Sequence, residues 1–268
     1  MANIKSQTQI SRGNSLLLSE TEILVILRAA DDIIAAGGRT LLAKILKGSR
    51  DKKVLQLGLN NSPVYGNFSA LRTEEILARI DWMLHHDFLQ IEYSGKLPLL
   101  VFTEKGWILE RDQYADELLR QWDEWLANNV TPASMDYLKD RDRGLILLLL
   151  EKVRQTGNKR YLAFLQHWEK IEYKKVRQAI RYVMNCLESP ADAQGPVALA
   201  PQADIKAQLK VEPNRPEVLT CWECGEKFTW EIKEQEFFKG KGFAPPKRCP
   251  ACRENKWFRQ MGIDPDEE

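Results

Sequence analysis

Residues 73–103 read TEEILARIDWMLHHDFLQIEYSGKLPLLVFT. Ile76, Leu77, Ile80, Met83 and Leu84 recur at spacings of three and four, which predicts a helix opening near Thr73 with one apolar face. Two β-patterned runs follow, Phe88 to Tyr93 and Leu99 to Thr103, and the intervening Ser94-Gly95-Lys96-Leu97-Pro98 predicts a hairpin. Upstream, Ser19 and Glu22 spell a capping box ahead of Ile23, Ile26, Leu27, Ala30 and Ile34, a helix that Gly37 and Gly38 stop. A second short helix carries Leu41, Leu42, Ile45 and Leu46 on one face and ends at Gly48.

Three helices followed by a two-stranded hairpin is the element order of a winged helix. Downstream, Tyr114, Leu118, Trp122 and Trp125 form one amphipathic stripe, and Thr131-Pro132 reads as a helix start. Gly157 separates a helix ending near Gln155 from one carrying Tyr161, Leu165, Trp168, Val176, Ile180 and Val183, with no Gly or Pro between 158 and 188. Shared stripes assign Trp122, Trp125 and Trp168 to a core. Residues 189–217 are rich in Pro and Ala and read as a linker. The expected class is mainly α with small β. It comprises a mobile leader (1–17), a winged-helix domain (18–110), a helical region (111–188), the linker (189–217), a zinc ribbon (218–260) and an acidic tail (261–268).

The zinc assignment rests on Cys221-x-x-Cys224 and Cys249-x-x-Cys252. Two such pairs supply four sulfurs for a closed tetrahedral site, so one structural Zn2+ is expected, with no open position for a substrate. The fifth cysteine, Cys186, reads as a buried helix residue. In the same tail Phe237, Phe238, Phe243 and Trp257 either pack around the metal or stack on single-stranded nucleic acid.

The 268 residues hold 39 Lys plus Arg against 38 Asp plus Glu, which argues against a uniformly basic coat. The charge is patchy, however. Residues 39–53 carry six basic side chains and one acid, 152–181 nine and two, and 239–259 seven and one. Lys170, Lys174, Arg177 and Arg181, spaced by four, three and four, would fall within about 60° on one helix. That set reads as a phosphate-facing ridge, as a contact for acidic protein or ribosomal RNA, or as a solvated face. No apolar run is long enough to span a membrane and the N-terminus lacks a signal-type core, so a cytoplasmic protein is expected. No G-x-x-x-x-G-K-[ST] phosphate loop occurs, and His85, His86 and His167 join no catalytic constellation. A protein that is not an enzyme and takes no small-molecule substrate is therefore expected.

The tail, with Cys221-Trp-Glu-Cys-Gly-Glu-Lys-Phe228, Glu234-Gln-Glu-Phe237, Lys241-Gly-Phe243 and Pro246-Lys-Arg-Cys249-Pro-Ala-Cys252-Arg253, resembles a small zinc-ribbon family. Residues 38–110 resemble the RQC domain, the C-terminal winged helix of RecQ-type helicases. The residues that carry this are Leu46-Lys47-Gly48-Ser49, Ser62-Pro-Val-Tyr65-Gly66, Ile80 with Trp82, Met83 and Leu84, then Leu89 and Phe102-Thr103-Glu104-Lys105-Gly106. Together the two resemble a bacterial RQC-minor type DNA-binding protein, a stand-alone relative without the helicase motor.

That resemblance implies binding of duplex or forked DNA through phosphates, with DNA repair or replication as the setting. Its basic-Gly-Ser motif maps onto Lys47, Gly48 and Ser49, and a further basic position onto Lys52 or Lys53. The wing tip departs from the pattern, because Tyr93 lies at the strand end and the tip is Ser94-Gly95-Lys96-Leu97. The expected nucleic-acid-binding residues are Lys47, Ser49, Arg50, Lys52, Lys53, Tyr93, Lys96, Lys170, Lys174, Arg177 and Arg181. The alternative is a protein-interaction or ribosome/RNA-associated adaptor that uses the zinc ribbon and the basic helix.

Overall fold

The capping box at Ser19 forms: its hydroxyl accepts the Glu22 N–H at 3.2 Å, and its own N–H donates to the Glu22 carboxylate at 2.9 Å. This opens α1 (Glu20–Asp31) in a computed structural model that describes residues 17–132, 134–189, 203–211 and 213–261. The leader up to residue 16, the tail from residue 262 and residues 190–202 of the expected linker lie outside the described residues. α2 (Arg39–Lys47) ends on left-handed Gly48, and α3 (Lys52–Gln56) opens on Asp51, whose carboxylate accepts the Lys53 N–H at 2.9 Å. α4 (Thr73–His85) leads into an antiparallel hairpin of β1 (Leu89–Ser94) and β2 (Leu97–Phe102). Ser94 pairs with Leu97, so the tip is Gly95-Lys96 and the second strand starts before the expected Leu99. Ile23, Ile26, Leu42, Ile45, Ile76, Ile80, Met83 and Phe88 fill the core between helices and hairpin. Burying each stabilises the fold by about 1.5–3 kcal/mol.

α5 (Glu104–Ala127) is one helix that serves two cores. Leu109 belongs to the first, whereas Tyr114, Ala115, Leu118 and Trp122 belong to the second. The expected boundary at residue 110 thus falls inside a helix, where no Gly or Pro from Trp107 to Ala127 breaks the backbone. The joint is polar. Arg28 of α1 donates to both Glu117 oxygens at 2.8 and 3.1 Å and lies 4.4 Å over the Tyr114 ring. Beside it Glu110 is 1% exposed, and burial pushes its carboxyl well above the usual range, although Gln113 donates to it.

The second core is built by α6 (Arg143–Thr156), α7 (Leu162–Ile171) and α8 (Lys174–Glu188) around Trp122 and Trp168, whose rings meet edge to face. Trp122 Nε1 donates to the Tyr137 hydroxyl at 2.6 Å, which satisfies its polar edge. Cys186 is buried on α8. Two expectations change here. Thr131-Pro132 starts no helix; the next α-helix opens at Asp142, whose side chain accepts the Leu145 N–H at 3.0 Å and also binds Arg111 at 2.6 Å. The uninterrupted helix expected over 158–188 breaks at Glu172-Tyr173. Glu172, 8% exposed, accepts from Trp168 Nε1 at 2.9 Å and from the Tyr173 N–H at 3.2 Å, so a buried carboxylate turns the chain without Gly or Pro.

Part of the expected linker is structured. α9 (Ile205–Leu209), capped by Asp204, packs on α5 and buries Leu209 in the first core with Ile205 and Val211 beside it. Ile205 and Leu209, four apart, give this turn the apolar face it needs. The remaining elements are the antiparallel pair β3 (Glu217–Thr220) and β4 (Lys227–Trp230), then α10 (Ile232–Lys241) and α11 (Pro250–Met261). No described helix is long and apolar enough to cross a membrane.

Candidate metal centre and nucleic-acid interface

Between β3 and β4 the chain forms a knuckle. The Cys221 N–H donates to the Glu226 carbonyl at 2.8 Å, and the Gly225 N–H donates to the Cys221 carbonyl at 3.0 Å. Gly225, at φ 77°, supplies the left-handed residue that this turn requires. The second pair sits differently: Cys249 immediately precedes α11 and Cys252 lies in its first turn, with the Cys252 N–H directed at Cys249 Sγ at 3.4 Å. The expected zinc ribbon therefore takes treble-clef form, with one ligand pair on a knuckle and the other at a helix start. The Trp222 N–H donates to the Lys247 carbonyl at 2.9 Å and ties the two halves together.

All four thiols are free, and their sulfurs lie within 4.8 Å of one another, Cys224 to Cys249 at 3.9 Å. Sulfurs about 2.3 Å from a tetrahedral zinc are about 3.8 Å apart, so the set is positioned to bind one metal ion. Backbone N–H groups of Cys224 and Cys249 bring the Cys221 thiol down to about 6, while the Cys249 sulfur pushes Cys252 up to about 12. Thiols this close ionise together only around a cation, and four protein ligands close the site. The motif residues around it hold the module together. Glu234 pairs with Arg253 at 2.6 Å and joins α10 to α11, and buried Gln235 donates to the Arg215 and Trp230 carbonyls.

The zinc module is seated on the hairpin. α10 packs on α4 and β1, and Lys239 Nζ donates to the His85 carbonyl at 3.0 Å and to the Asp87 carboxylate at 2.8 Å. The Tyr93 hydroxyl donates to the Lys241 carbonyl at 2.9 Å. Gly242 closes α10 at φ 67°, where any Cβ would stand 2.6 Å from the Ile91 carbonyl oxygen. Burial lowers the pKa of His85 and holds that of His86 at about 4; His167 is exposed.

Two of the expected phosphate-binding cations, Lys47 and Arg181, are engaged within the chain, as are neighbouring Arg39 and Lys44. Lys47 Nζ donates to the Ser69 and Leu71 carbonyls, each at 2.7 Å, and so pins the 62–71 loop instead of standing free. The same loop is held by Tyr65, whose hydroxyl donates to the Ser49 carbonyl at 2.9 Å, and by the Gly66 N–H on Ile45. Gly48 approaches Gly66 so closely that a Cβ would stand 2.9 Å from its Cα. This contact brings the Lys-Gly-Ser and Ser-Pro-Val-Tyr-Gly motifs together. Arg39 pairs with Asp81 at 2.9 Å and Lys44 with Asp51 at 2.8 Å, while Ser49 Oγ accepts the Asp51 N–H at 3.3 Å. What remains is Arg50, Lys52 and Lys53, all exposed and without a side-chain partner among the described residues, with Lys96 likewise free at the wing tip. The expected ridge is split: Lys170 lies on α7, Lys174 and Arg177 stand free on α8, and Arg181 is tied to Glu169 at 2.6 Å. Tyr93 spends its hydroxyl on the zinc module. Sequence reasoning missed Arg143 and Lys175, which line a 490 Å3 cleft with Lys174; the basic run 152–181 signalled Lys175, and nothing signalled Arg143.

These motif contacts fall in a stretch with a known counterpart. Residues 21–118 match the RQC domain. The RQC match runs from α1 past the hairpin into α5, so it includes the start of the helix that both cores share. Residues 217–260 match a family described as a probable treble clef domain, in agreement with the knuckle-and-helix ligand arrangement. A stretch of 69 residues is 33% identical to the ATP-dependent DNA helicase RecQ of Bacillus subtilis (strain 168). It makes up 26% of this chain and 12% of that helicase, so the likeness spans a small part of the relative. No solved structure matches the chain.

Proposed function

We propose that this protein binds nucleic acid, duplex or forked DNA above all, by phosphate contacts and without catalysing a reaction on it. The observation that carries this reading is the corner between α2 and α3. Its cations Arg50, Lys52 and Lys53 are exposed and uncompensated on a backbone fixed by Gly48, Lys47 and Asp51. The proposed contact also includes Ser49, Lys96 at the wing tip and, with smaller contributions, Lys170, Lys174 and Arg177 at the α7–α8 corner. The RQC match and the likeness to a DNA helicase support nucleic acid as the ligand class. Base readout is not part of the proposal, because the first turn of α4 presents Glu74 and Glu75, which oppose phosphates. A motor activity is also left out: the RecQ likeness covers 69 residues and the sequence has no phosphate loop. A cytoplasmic role in DNA repair or replication follows from the same reading.

The test is binding of a fluorescent forked duplex across a salt series. Three or more neutralised phosphates give a plot of log affinity against log salt with a slope of about −2.7 or steeper. No binding at low salt, or binding unchanged by Lys52→Glu with Lys53→Glu, would overturn the proposal. A protein-interaction adaptor is the second reading, favoured by the surface of the zinc module: Trp222 is 75% exposed, and Phe237, Phe243 and Trp257 are at least half exposed. Phe237 and Phe243 also meet each other and Phe238 edge to face, and Phe238 packs on buried Trp230, so these rings are partly packed within the module.

A further inference from the structure

We propose that the zinc module supplies one wall of a composite cleft that grips a phosphodiester backbone, with Lys241 as its contact. This rests on the phosphate-binding reading above and extends it to a residue and a module outside the RQC domain. The cleft, 460 Å3 in volume, is lined by Arg39 at the start of α2, Lys53 on α3, Leu77 on α4, Tyr93 and Pro98 on the wing, and Lys241 at the end of α10. Arg39 is neutralised by Asp81, but the Lys53 and Lys241 ammonium groups have no partner among the described residues. Two uncompensated cations in one cleft call for an anion. Because they come from separate elements, with apolar Leu77 and Pro98 in the same lining, the match is to a polymer in which charges alternate with sugars, each ammonium acting as a point-charge phosphate binder.

The contacts that seat the zinc module on the hairpin also set the position of Lys241. Tyr93 reaches across from the wing to hold the Lys241 carbonyl, Lys239 anchors the preceding turn to Asp87 and the His85 carbonyl, and Gly242 allows the helix end to lie against Ile91. Tyr93 therefore acts as a positioning residue, not as a wedge between bases. A metal on the four cysteines would hold α11 to the knuckle, and the Glu234–Arg253 pair joins α10, and with it Lys241, to α11.

The experiment compares the zinc-loaded full chain with its Lys241→Glu, Lys53→Glu and Lys233→Glu variants on the same forked duplex. Lys233 is an exposed, unpaired lysine on α10 that does not line the cleft, so it controls for net charge. Lys241→Glu and Lys53→Glu should each make the salt slope shallower by about one, whereas Lys233→Glu should leave it unchanged. If Lys241→Glu destabilises the module, as shown by zinc content or melting, Lys241→Gln provides the same slope test without adding a negative charge. A Lys241 variant that behaves like Lys233→Glu while Lys53→Glu retains its defect sinks the composite cleft and spares the α2–α3 corner. Loss of effect at Lys53 as well removes the phosphate-binding reading itself.

Discussion

Two basic stretches, 39–53 and 152–181, look alike when charges are counted, yet the fold spends them differently. In the first, Arg39, Lys44 and Lys47 are consumed by Asp81, Asp51 and two carbonyls, and the survivors Arg50, Lys52 and Lys53 occupy one capped corner. In the second, Lys152 bridges Asp112 and Asp116, Arg154 meets Glu151, Arg160 meets the Leu126 carbonyl and Arg181 meets Glu169. Its free cations, Lys170, Lys174, Lys175 and Arg177, straddle a break between helices. A run of charge is thus a supply of ion-pair partners first and a ligand surface second. The first stretch shares its core with α4 and β1, on which the zinc module sits, and the second belongs to the other core.

The largest expected effect tests that asymmetry. Cys249→Ser, or chelation of the metal, forfeits binding free energy on the order of 10 kcal/mol, which in a module this small is folding free energy. Hydrogen exchange should then show α10, α11 and β4 unprotected, β1 weakened and α6 to α8 unchanged. Protection lost equally in both corners would erase the distinction. Next in size, Lys47→Ala leaves the Ser69 and Leu71 carbonyls without their donor and should lower stability by about 1–3 kcal/mol in a denaturant titration. A variant with full stability and weakened DNA binding would return Lys47 to the phosphate contacts.

The joint between the two cores yields a pH test. The folded-state pKa of Glu110 is raised by burial, so folding carries no penalty below the ordinary carboxylate range, where both states are protonated. The penalty grows as pH rises above the unfolded pKa. Glu110→Gln should therefore raise stability by about 1 kcal/mol at pH 7, with the gain vanishing near pH 4. A gain that persists in acid would assign it to packing instead. Smallest of all, Arg181→Ala removes an exposed pair and should shift stability by about 0.5 kcal/mol or less.

The sequence discloses what is local. Ser19 with Glu22, Gly48 at a helix end, the hairpin around Gly95 and the four ligand cysteines are each decided by residues a few positions apart. The features it hides depend on partners far along the chain. Glu172 breaks a helix that has no Gly or Pro because Trp168 and the second core give its carboxylate a buried place. α5 crosses the expected boundary because two apolar faces follow each other on one unbroken helix. Lys47, Tyr93 and Arg181 carry the residue types expected of a nucleic-acid surface, and only the folded chain shows their hydrogen-bonding groups already engaged. Lys241 stood in the sequence as part of a zinc-module motif, Lys241-Gly-Phe243, and of the basic run 239–259; its place on the cleft depends on the seating of α10 against Tyr93 and Ile91.

The central claim is that the corner between α2 and α3, and not the length of a basic run, makes the nucleic-acid contact. Salt slopes for a forked duplex, measured with Lys52→Glu plus Lys53→Glu and separately with Lys174→Glu plus Arg177→Glu, test it most directly. The first pair should make the slope shallower by about two and the second by one or less. Equal losses, or a larger loss from the α8 pair, would contradict it.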